Sequence, residues 1–280
     1  MHLVTGAAGF IGFHLSLSLL KKKQKVIGID NINNYYNTKI KHERLKLLKK
    51  FPNFTFFKLD LKNKNNISKR LNKYKNKIKV IVHLAGQAGV RYSIKNPITY
   101  IENNIISYVH LLEFFKNNNN LKLIIYASSS SIYGETGSKN GMSSKPQTNP
   151  ISVYSASKLS MELISKVYNH LYKINIIGIR FFSVYGPWGR PDMFYFKILD
   201  KLRLNETLKI YNYGKHYRSF TYIDDVVSNL SKIIKKFKSK RKSVNDIFNI
   251  GNPSSIYLKD FINIVEKKIG RKVKKKFIKK

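Results

Sequence analysis

Tyr154 and Lys158 stand four residues apart in Tyr154-Ser-Ala-Ser-Lys158. On a helix this spacing puts a phenol and an ammonium on one face, one turn apart. A tyrosine titrates near pH 10, too high for a base at neutral pH, and a nearby cation favours its phenolate. Bringing it to 7 takes about 3 units, or about 4 kcal/mol of differential stabilisation. A Tyr-x-x-x-Lys pair also fits a solvated helix face in a chain this rich in lysine, so its surroundings decide. Against 44 Lys, the nine arginines stand out. Arg91, Arg180, Arg190 and Arg218 occupy aromatic or apolar settings. Guanidinium forks suit acceptor-only anions there, and structural ion pairs would use them equally well. Among only 15 acids, Asp30 and Asp60 each follow an apolar run, and Asp224 and Asp225 precede an amphipathic segment.

The elements that must position these groups alternate in type. Strands are expected at 3–5, 25–30, 54–60, 80–84, 123–128 and 176–180. Helices are expected at 13–20, 39–50, 67–74, 97–116 and 151–172. The helix over 97–116 is read with Ile101, Ile105, Val109 and Leu112 on one face. This alternation predicts an α/β fold with a doubly wound parallel sheet. After Pro187 the pattern turns irregular, with short strands at 208–212 and 246–250. Residues 1–186 are therefore read mainly as one domain built on that Rossmann-type sheet, with the dinucleotide-binding signals described next. Residues 187–280 are read mainly as a smaller substrate lobe, with segments around 215–250 returning to the first. Residues 117–120 read as a polar loop and 235–242 as a charged loop or fraying helix end.

Gly6-Ala-Ala-Gly9-Phe10-Ile11-Gly12 lies between the first strand and the first helix. Glycines there permit a tight turn and close approach of a pyrophosphate, to which the helix N-terminus offers N–H groups. Asp30 ends the second strand, where a carboxylate accepts from ribose hydroxyls and repels a 2′-phosphate, favouring NAD over NADP. Asp60 and Leu61 occupy the matching place after the third strand, at the adenine end.

Composition narrows the classes. There is no cysteine, which excludes disulfides and thiolate metal sites. No apolar run approaches the roughly 18 residues that span a bilayer, and a strand-and-glycine pattern begins at once, without a signal peptide. A soluble, cytoplasmic protein is expected, with no metal site. The net charge is +38. Nucleic-acid binding is one reading. The abundance of Lys, Asn, Ile and Tyr also fits a residue-usage bias, and no specific nucleic-acid partner or membrane is expected.

Six segments, in order, resemble the extended short-chain dehydrogenase/reductases, the NAD-dependent nucleotide-sugar epimerases and dehydratases. They are Val4-Thr-Gly-Ala-Ala-Gly-Phe-Ile-Gly12, His83-Leu-Ala-Gly-Gln-Ala-Gly-Val-Arg91, Tyr126-Ala-Ser-Ser-Ser-Ser-Ile-Tyr-Gly134, Tyr154-Ser-Ala-Ser-Lys158, Arg180 to Met193, and Arg218-Ser-Phe-Thr-Tyr-Ile-Asp-Asp225. Within that class, the stretches ending at Ser93 and Met193 look most like UDP-glucuronate 4-epimerases. The resemblance implies Tyr154 as base, Lys158 on the nicotinamide ribose, and Ser129 on the reacting hydroxyl. It implies Leu84, Ala85, Gln87 and Asn104 beside the cofactor with Gly6, Gly9, Phe10, Ile11, Gly12, Asp30, Asn31, Asp60 and Leu61. Ser130 and Ser131 would line the sugar, and Ser183 and Arg190 the uronate carboxylate. Arg218 would meet the pyrophosphate, Arg91 either anion, and Tyr211 and Asn212 the nucleotide. It further implies a homodimer built from the helices near 97–116 and 151–172.

The implied reaction is inversion at C4 of a UDP-sugar through a transient 4-keto intermediate, with NAD regenerated. Resembling dehydratases and decarboxylases carry an acid in or just after the serine run. Here positions 127–134 have none, and Glu135 is the first. That favours simple epimerisation. Two other readings remain open: a 4-epimerase of a neutral or N-acetylated UDP-hexose, and a non-catalytic NAD- or anion-binding protein. Gly86 departs from the usual alanine. The resembling proteins continue several dozen residues past the position of Lys280, so the substrate lobe is expected to be truncated, as a fragment, a shortened product or a reduced enzyme.

Overall fold

The computed structural model describes residues 1–134, 147–239 and 243–279. Glu135 and residues 240–242 lie outside them. Seven strands form one parallel sheet in the order β11-β6-β5-β4-β1-β2-β3. They are β1 His2–Thr5, β2 Val26–Asp30, β3 Phe54–Lys58, β4 Val80–His83, β5 Leu123–Ser129, β6 Ile176–Phe181 and β11 Asn245–Ile250. This is the doubly wound α/β fold that the alternation predicted. The strand order reverses between β1 and β4, which opens a crevice at the carboxyl ends of those parallel strands.

Both sheet faces are covered, so the strands read as apolar runs. The two-residue period sorts them into two cores. Leu3, Ile27, Ile81, Ile124 and Ile176 pack with Ile67, Leu111, Phe115 and Met161 on one face. Val4, Val26, Val82, Ile125 and Ile177 pack with Phe13, Leu48, Val226 and Leu230 on the other. The helices involved are α1 Phe10–Lys21, α2 Lys39–Lys49, α3 Lys64–Leu71, α6 Ser107–Phe115, α7 Val153–Tyr172 and α9 Ile223–Phe237. Asp224 and Asp225 lie in the first turn of α9, where carboxylates complement the helix dipole. The chain crosses back after the sixth strand: α9 packs on α1, and β11 adds to β6. A third core, Ile198, Leu202, Leu208, Ile210, Leu258 and Ile262, belongs to the C-terminal segments. It is built from α8 Phe194–Arg203, α10 Leu258–Ile269, and β8 Thr207–Tyr211 paired in parallel with β13 Lys274–Ile278.

The helix expected over 97–116 differs in its inner face. It runs as α5 Pro97–Tyr100, a π turn over Ile101–Ile106 and α6, and it is preceded by an unexpected α4 Val90–Lys95. Ile101 is exposed, and Tyr100, Asn104, Ser107, Tyr108, Leu111, Leu112 and Phe115 point inward. The π turn takes an extra residue, which rotates the positions before it relative to those after. In α7 the inversion is stronger. Ser152 caps it reciprocally with Ser155, and its buried face is Ser155, Ser157, Lys158, Met161, Glu162 and Ser165, while Leu163, Val167 and Leu171 are exposed. No helix among the described residues is long and apolar enough to cross a membrane.

Candidate active site

The glycine turn is a cradle closed by its own backbone. A Cβ at Gly12 would fall 2.1 Å from the Gly6 carbonyl oxygen, and one at Gly6 (φ 68°) would fall 2.8 Å from Ala85 N. Only glycine lets α1 start this close to β1 and β4. Phe10 is buried behind the turn, whereas Gly6, Gly9 and Ile11 form its partly exposed rim. Asp30 closes the side. Its oxygens accept from Ala8 N at 3.1 Å and Ile32 N at 2.8 Å, and burial raises its carboxyl above the usual range. A carboxylate offers about four lone-pair sites, so each oxygen keeps one for a further donor. Asn31 donates to Asp60 at 3.3 Å, and Asp60 accepts from Lys62 N. Leu61 is buried, and Ala85 N donates to Thr5 Oγ1.

Asn104, on the π turn, clamps the neighbouring strand end. It accepts from Gln87 N at 2.7 Å and donates to Gln87 O and Ser157 Oγ. A Cβ at Gly86 would meet Asn104 Oδ1 at 2.7 Å and Lys158 Nζ at 3.4 Å. The glycine that departs from the resemblance therefore makes room for this clamp.

Tyr154 meets Ser129 in a side-chain hydrogen bond and Tyr100 edge-on at 5.8 Å. Ser129 Oγ accepts from Ser131 N at 3.2 Å and Ser131 Oγ at 3.0 Å. That leaves the Ser129 proton for the phenol oxygen. Burial raises the Tyr154 phenol above its ordinary value, and Ser129 and the Arg190 cation pull it back. Lys158 turns its ammonium to the Ala127 carbonyl at 2.9 Å, and Arg190 is a cation that acts on Tyr154.

Burial pushes Lys158 down to about 8. A lysine depressed in the fold costs stability wherever it must stay charged, fully below pH 8 and less as pH climbs towards its unfolded value near 10.5. Lys158→Met is therefore expected to stabilise the cofactor-free protein by about 1–3 kcal/mol at pH 7. The gain should fade between pH 8 and 10.5. Urea unfolding across that range checks it, and a loss of stability at pH 7 would contradict it.

Arg190 donates from Nε to Asp192 Oδ1 at 3.0 Å and from Nη2 to Oδ2 at 2.5 Å. Arg91, Arg218 and Tyr211 gather elsewhere: the Arg91 guanidinium lies 3.6 Å over the Tyr211 ring. Burial and Arg91 lower Arg218, and burial with both arginines pushes His216 to about 4. These guanidiniums repel each other, which is the electrostatics of an anion site. Asn212 forms the turn after β8 and donates to Lys215 O. Ser130 opens the short helical turn Ser130–Tyr133. Ser183, on β7 Ser183–Tyr185, is held by its backbone to Ser219.

Arg180 is a structural arginine. It forks onto Glu162 at 2.9 and 2.7 Å, and Glu162 also accepts from Ser128 at 2.5 Å. Arg180 further donates to Tyr133, whose hydroxyl donates to Asn249. Sequence reasoning missed Glu162, although it is one of 15 acids and lies two turns after Tyr154 on the same helix face. It also missed Arg44, a lone arginine among the lysines of α2. Fully buried, Arg44 donates to Ala8 O, Trp188 O and Gly189 O, and so ties the glycine turn to the loop carrying Arg190.

Comparison with known proteins agrees with this geometry. Protein CapI of Staphylococcus aureus is 42% identical over 289 residues, covering 99% of this chain and 85% of its own length. UDP-glucuronate 4-epimerase 4 of Arabidopsis thaliana is 39% identical over 289 residues, covering 99% of this chain, which spans 65% of that longer protein. The crystal structure of UDP-glucuronic acid 4-epimerase from Bacillus cereus, with UDP-glucuronic acid and NAD, superposes with a TM-score of 0.90 at 35% identity, covering 99% of this chain and 86% of that one. The model of the NAD dependent epimerase/dehydratase family matches residues 2–251, and the chain belongs to that family.

Proposed function

We propose that the protein interconverts UDP-glucuronate and UDP-galacturonate, as an NAD-dependent UDP-sugar 4-epimerase. The observation that carries the uronate is Arg190, a guanidinium within electrostatic reach of the candidate base Tyr154. A second cationic group, Arg91 with Arg218, stands ready for another anion. UDP-glucuronate carries a carboxylate on the sugar and a pyrophosphate behind it, one anion for each group.

NAD fits the first half of the chain because the glycine cradle leaves no room for side chains and Asp30 presents a buried carboxylate. Gly6, Gly9, Phe10, Ile11 and Gly12 would hold its pyrophosphate, Asp30 and Asn31 the adenosine ribose, and Asp60 and Leu61 the adenine. Leu84, Ala85, Gln87 and Asn104 would flank the nicotinamide half, with Lys158 on its ribose. When bound, NAD⁺ supplies the hydride acceptor, a positive charge near the base and the return hydride.

The residues of the chain supply proton transfer and orientation. Tyr154 takes the proton of the sugar 4-hydroxyl and later returns one to the 4-keto oxygen. With substrate bound, Ser129, its own oxygen still occupied by Ser131, turns its one proton from the phenol to the reacting oxygen and keeps that oxygen in line with the phenol. Ser130, Ser131 and Ser183 line the sugar. Arg190 holds the carboxylate and favours the phenolate, and Tyr211, Asn212, Arg91 and Arg218 hold the nucleotide end. Glu162 reaches the serine run through Ser128, but Arg180 neutralises it in a two-point pair. It is spent on structure, in keeping with epimerisation and against the extra proton carrier that elimination or decarboxylation needs.

The test is incubation of the NAD-loaded protein with UDP-glucuronate, UDP-glucose and UDP-N-acetylglucosamine, followed by proton NMR of the anomeric region. UDP-galacturonate should accumulate to equilibrium. No inversion of the uronate, or faster inversion of a neutral sugar, would overturn the assignment.

We propose in addition a division into a cofactor-binding part over 1–186 and a substrate-binding part over 187–280, with 215–250 shared, and a homodimer. The outward stripe Leu163, Val167 and Leu171 lies on α7, and α4 and α5 expose Ile94 at 73% and Ile98 at 68%. These large exposed apolar side chains sit on helices packed against one another, which supports an interface there. Sedimentation should give a dimer that Val167→Glu converts to monomer, and a monomeric parent protein would refute the dimer.

A further inference from the structure

The resting state of Arg190 bears on how the proposed site selects its substrate, provided that substrate is UDP-glucuronate as proposed above. Both arms of its fork are taken by Asp192, two residues on, with one hydrogen bond to each carboxylate oxygen. That is the two-point geometry a substrate carboxylate would adopt on the same guanidinium. The two side chains are about a fifth to a quarter exposed, at 22% and 25%. Neither charge can be left unpaired there without cost, and a second carboxylate beside Asp192 would put two like charges on one cation.

The backbone that carries the pair is fixed. Arg44 donates to the Trp188 carbonyl at 2.6 Å and the Gly189 carbonyl at 3.2 Å, and Met193 N closes a turn onto Arg190 O at 3.1 Å. The space beside Gly189 is filled by Tyr195, whose hydroxyl lies 2.5 Å from where a Cβ would stand. Relief of the like-charge contact therefore falls to side-chain rotation of Asp192. A receiver is present. The Tyr35 hydroxyl donates to Asp192 Oδ2 at 3.5 Å, a long bond that can shorten, and the Arg190 guanidinium lies 5.8 Å over the Tyr35 ring. Burial and Asp192 keep the Tyr35 phenol above its ordinary value, so it remains a donor.

We propose that Asp192 is the resting counter-ion of Arg190, that the carboxylate of the substrate displaces it from the fork towards Tyr35, and that this exchange sets the strength of uronate selection. Asp192 is thus a positioning residue acting through Arg190. In the resting protein it keeps the guanidinium paired and aimed, and it competes with the uronate for the same two N–H groups. A neutral hexose does not enter this competition.

The test is equilibrium binding by calorimetry to the NAD-loaded protein, in a Tyr154→Phe background that prevents turnover, with UDP-glucuronate and UDP-glucose as the two probes. Asp192→Asn should tighten UDP-glucuronate about tenfold and leave UDP-glucose within about twofold. Tyr35→Phe, which removes the receiver and keeps the ring, should weaken UDP-glucuronate about threefold with UDP-glucose unchanged. Weaker uronate binding in Asp192→Asn would mean that Asp192 only orients the arginine, and it would overturn the exchange. Equal changes for both probes would overturn it as well. Arg190→Met separates this failure from failure of the uronate assignment. If it leaves the preference for UDP-glucuronate over UDP-glucose intact, the assignment itself falls. If it abolishes the preference while Asp192→Asn weakens the uronate, only the exchange falls.

Discussion

Tyr154→Phe is expected to lower turnover of UDP-glucuronate by about a thousandfold, within the range general acid–base catalysis supplies, while the protein stays folded and keeps its NAD. The substitution removes one oxygen and keeps the ring that meets Tyr100 edge-on. The cofactor cradle is built from other residues, Gly6, Gly12 and Asp30, so cofactor content should not change. Ser129 retains its bonds from Ser131 and stays in place. What disappears is the only group proposed to accept the 4-hydroxyl proton. Arg190 favours the phenolate of Tyr154 against the upward push of burial, so the parent enzyme should gain activity as pH rises and the phenol ionises, and the variant should lose that dependence. Turnover by chromatography of the two uronates, with NAD released by denaturation and quantified by absorbance, checks both halves. Retention of more than a tenth of the parent rate would remove Tyr154 from the role of base.

The sheet and the glycine turn were legible because their signals are local. A parallel strand buried on both faces is a short apolar run wherever it occurs, and a cradle this tight admits only glycine. The pairing of Tyr154 with Ser129 was reachable through resemblance, since nothing in the spacing of 25 residues brings them together. Two other features needed the three-dimensional arrangement. The inner face of the helix after Pro97 was misread because apolar residues normally point inward, and here Asn104 and the tyrosines do so while Ile101 faces out. The inversion in α7 has the same form: its inner face serves Lys158 and Glu162, and its apolar stripe is left outside. The ion pairs were also out of reach. Arg180 and Arg190 look alike in sequence, each in an aromatic setting, yet one is locked to a buried glutamate two turns beyond the candidate base and the other is held by an aspartate two residues away. Arg190, a cation that acts on Tyr154, comes from 36 positions further along, brought there by a loop that Arg44 pins.

Arg190→Met should produce the largest change in substrate preference. A charge-assisted two-point contact with a carboxylate in a partly buried site is worth about 2–5 kcal/mol when one partner is truncated, so affinity for UDP-glucuronate should fall by about 30- to 5000-fold. The contacts of this residue add two further effects. Asp192 loses its partner and leaves a negative charge facing the incoming uronate, which adds to the loss. Tyr154 loses the cation that favours its phenolate, so turnover at neutral pH should also drop and recover as pH rises. A neutral UDP-hexose feels the second effect but not the first. Binding of UDP-glucose should therefore change by less than about threefold while its preference relative to UDP-glucuronate reverses. Arg190→Lys keeps the charge near Tyr154 but not the planar fork, and it should restore the pH profile more fully than the uronate affinity. Calorimetric binding of both nucleotides and pH–rate profiles of the two variants test these outcomes together. An equal loss of affinity for both sugars would assign Arg190 to the fold of its loop and take the carboxylate from it.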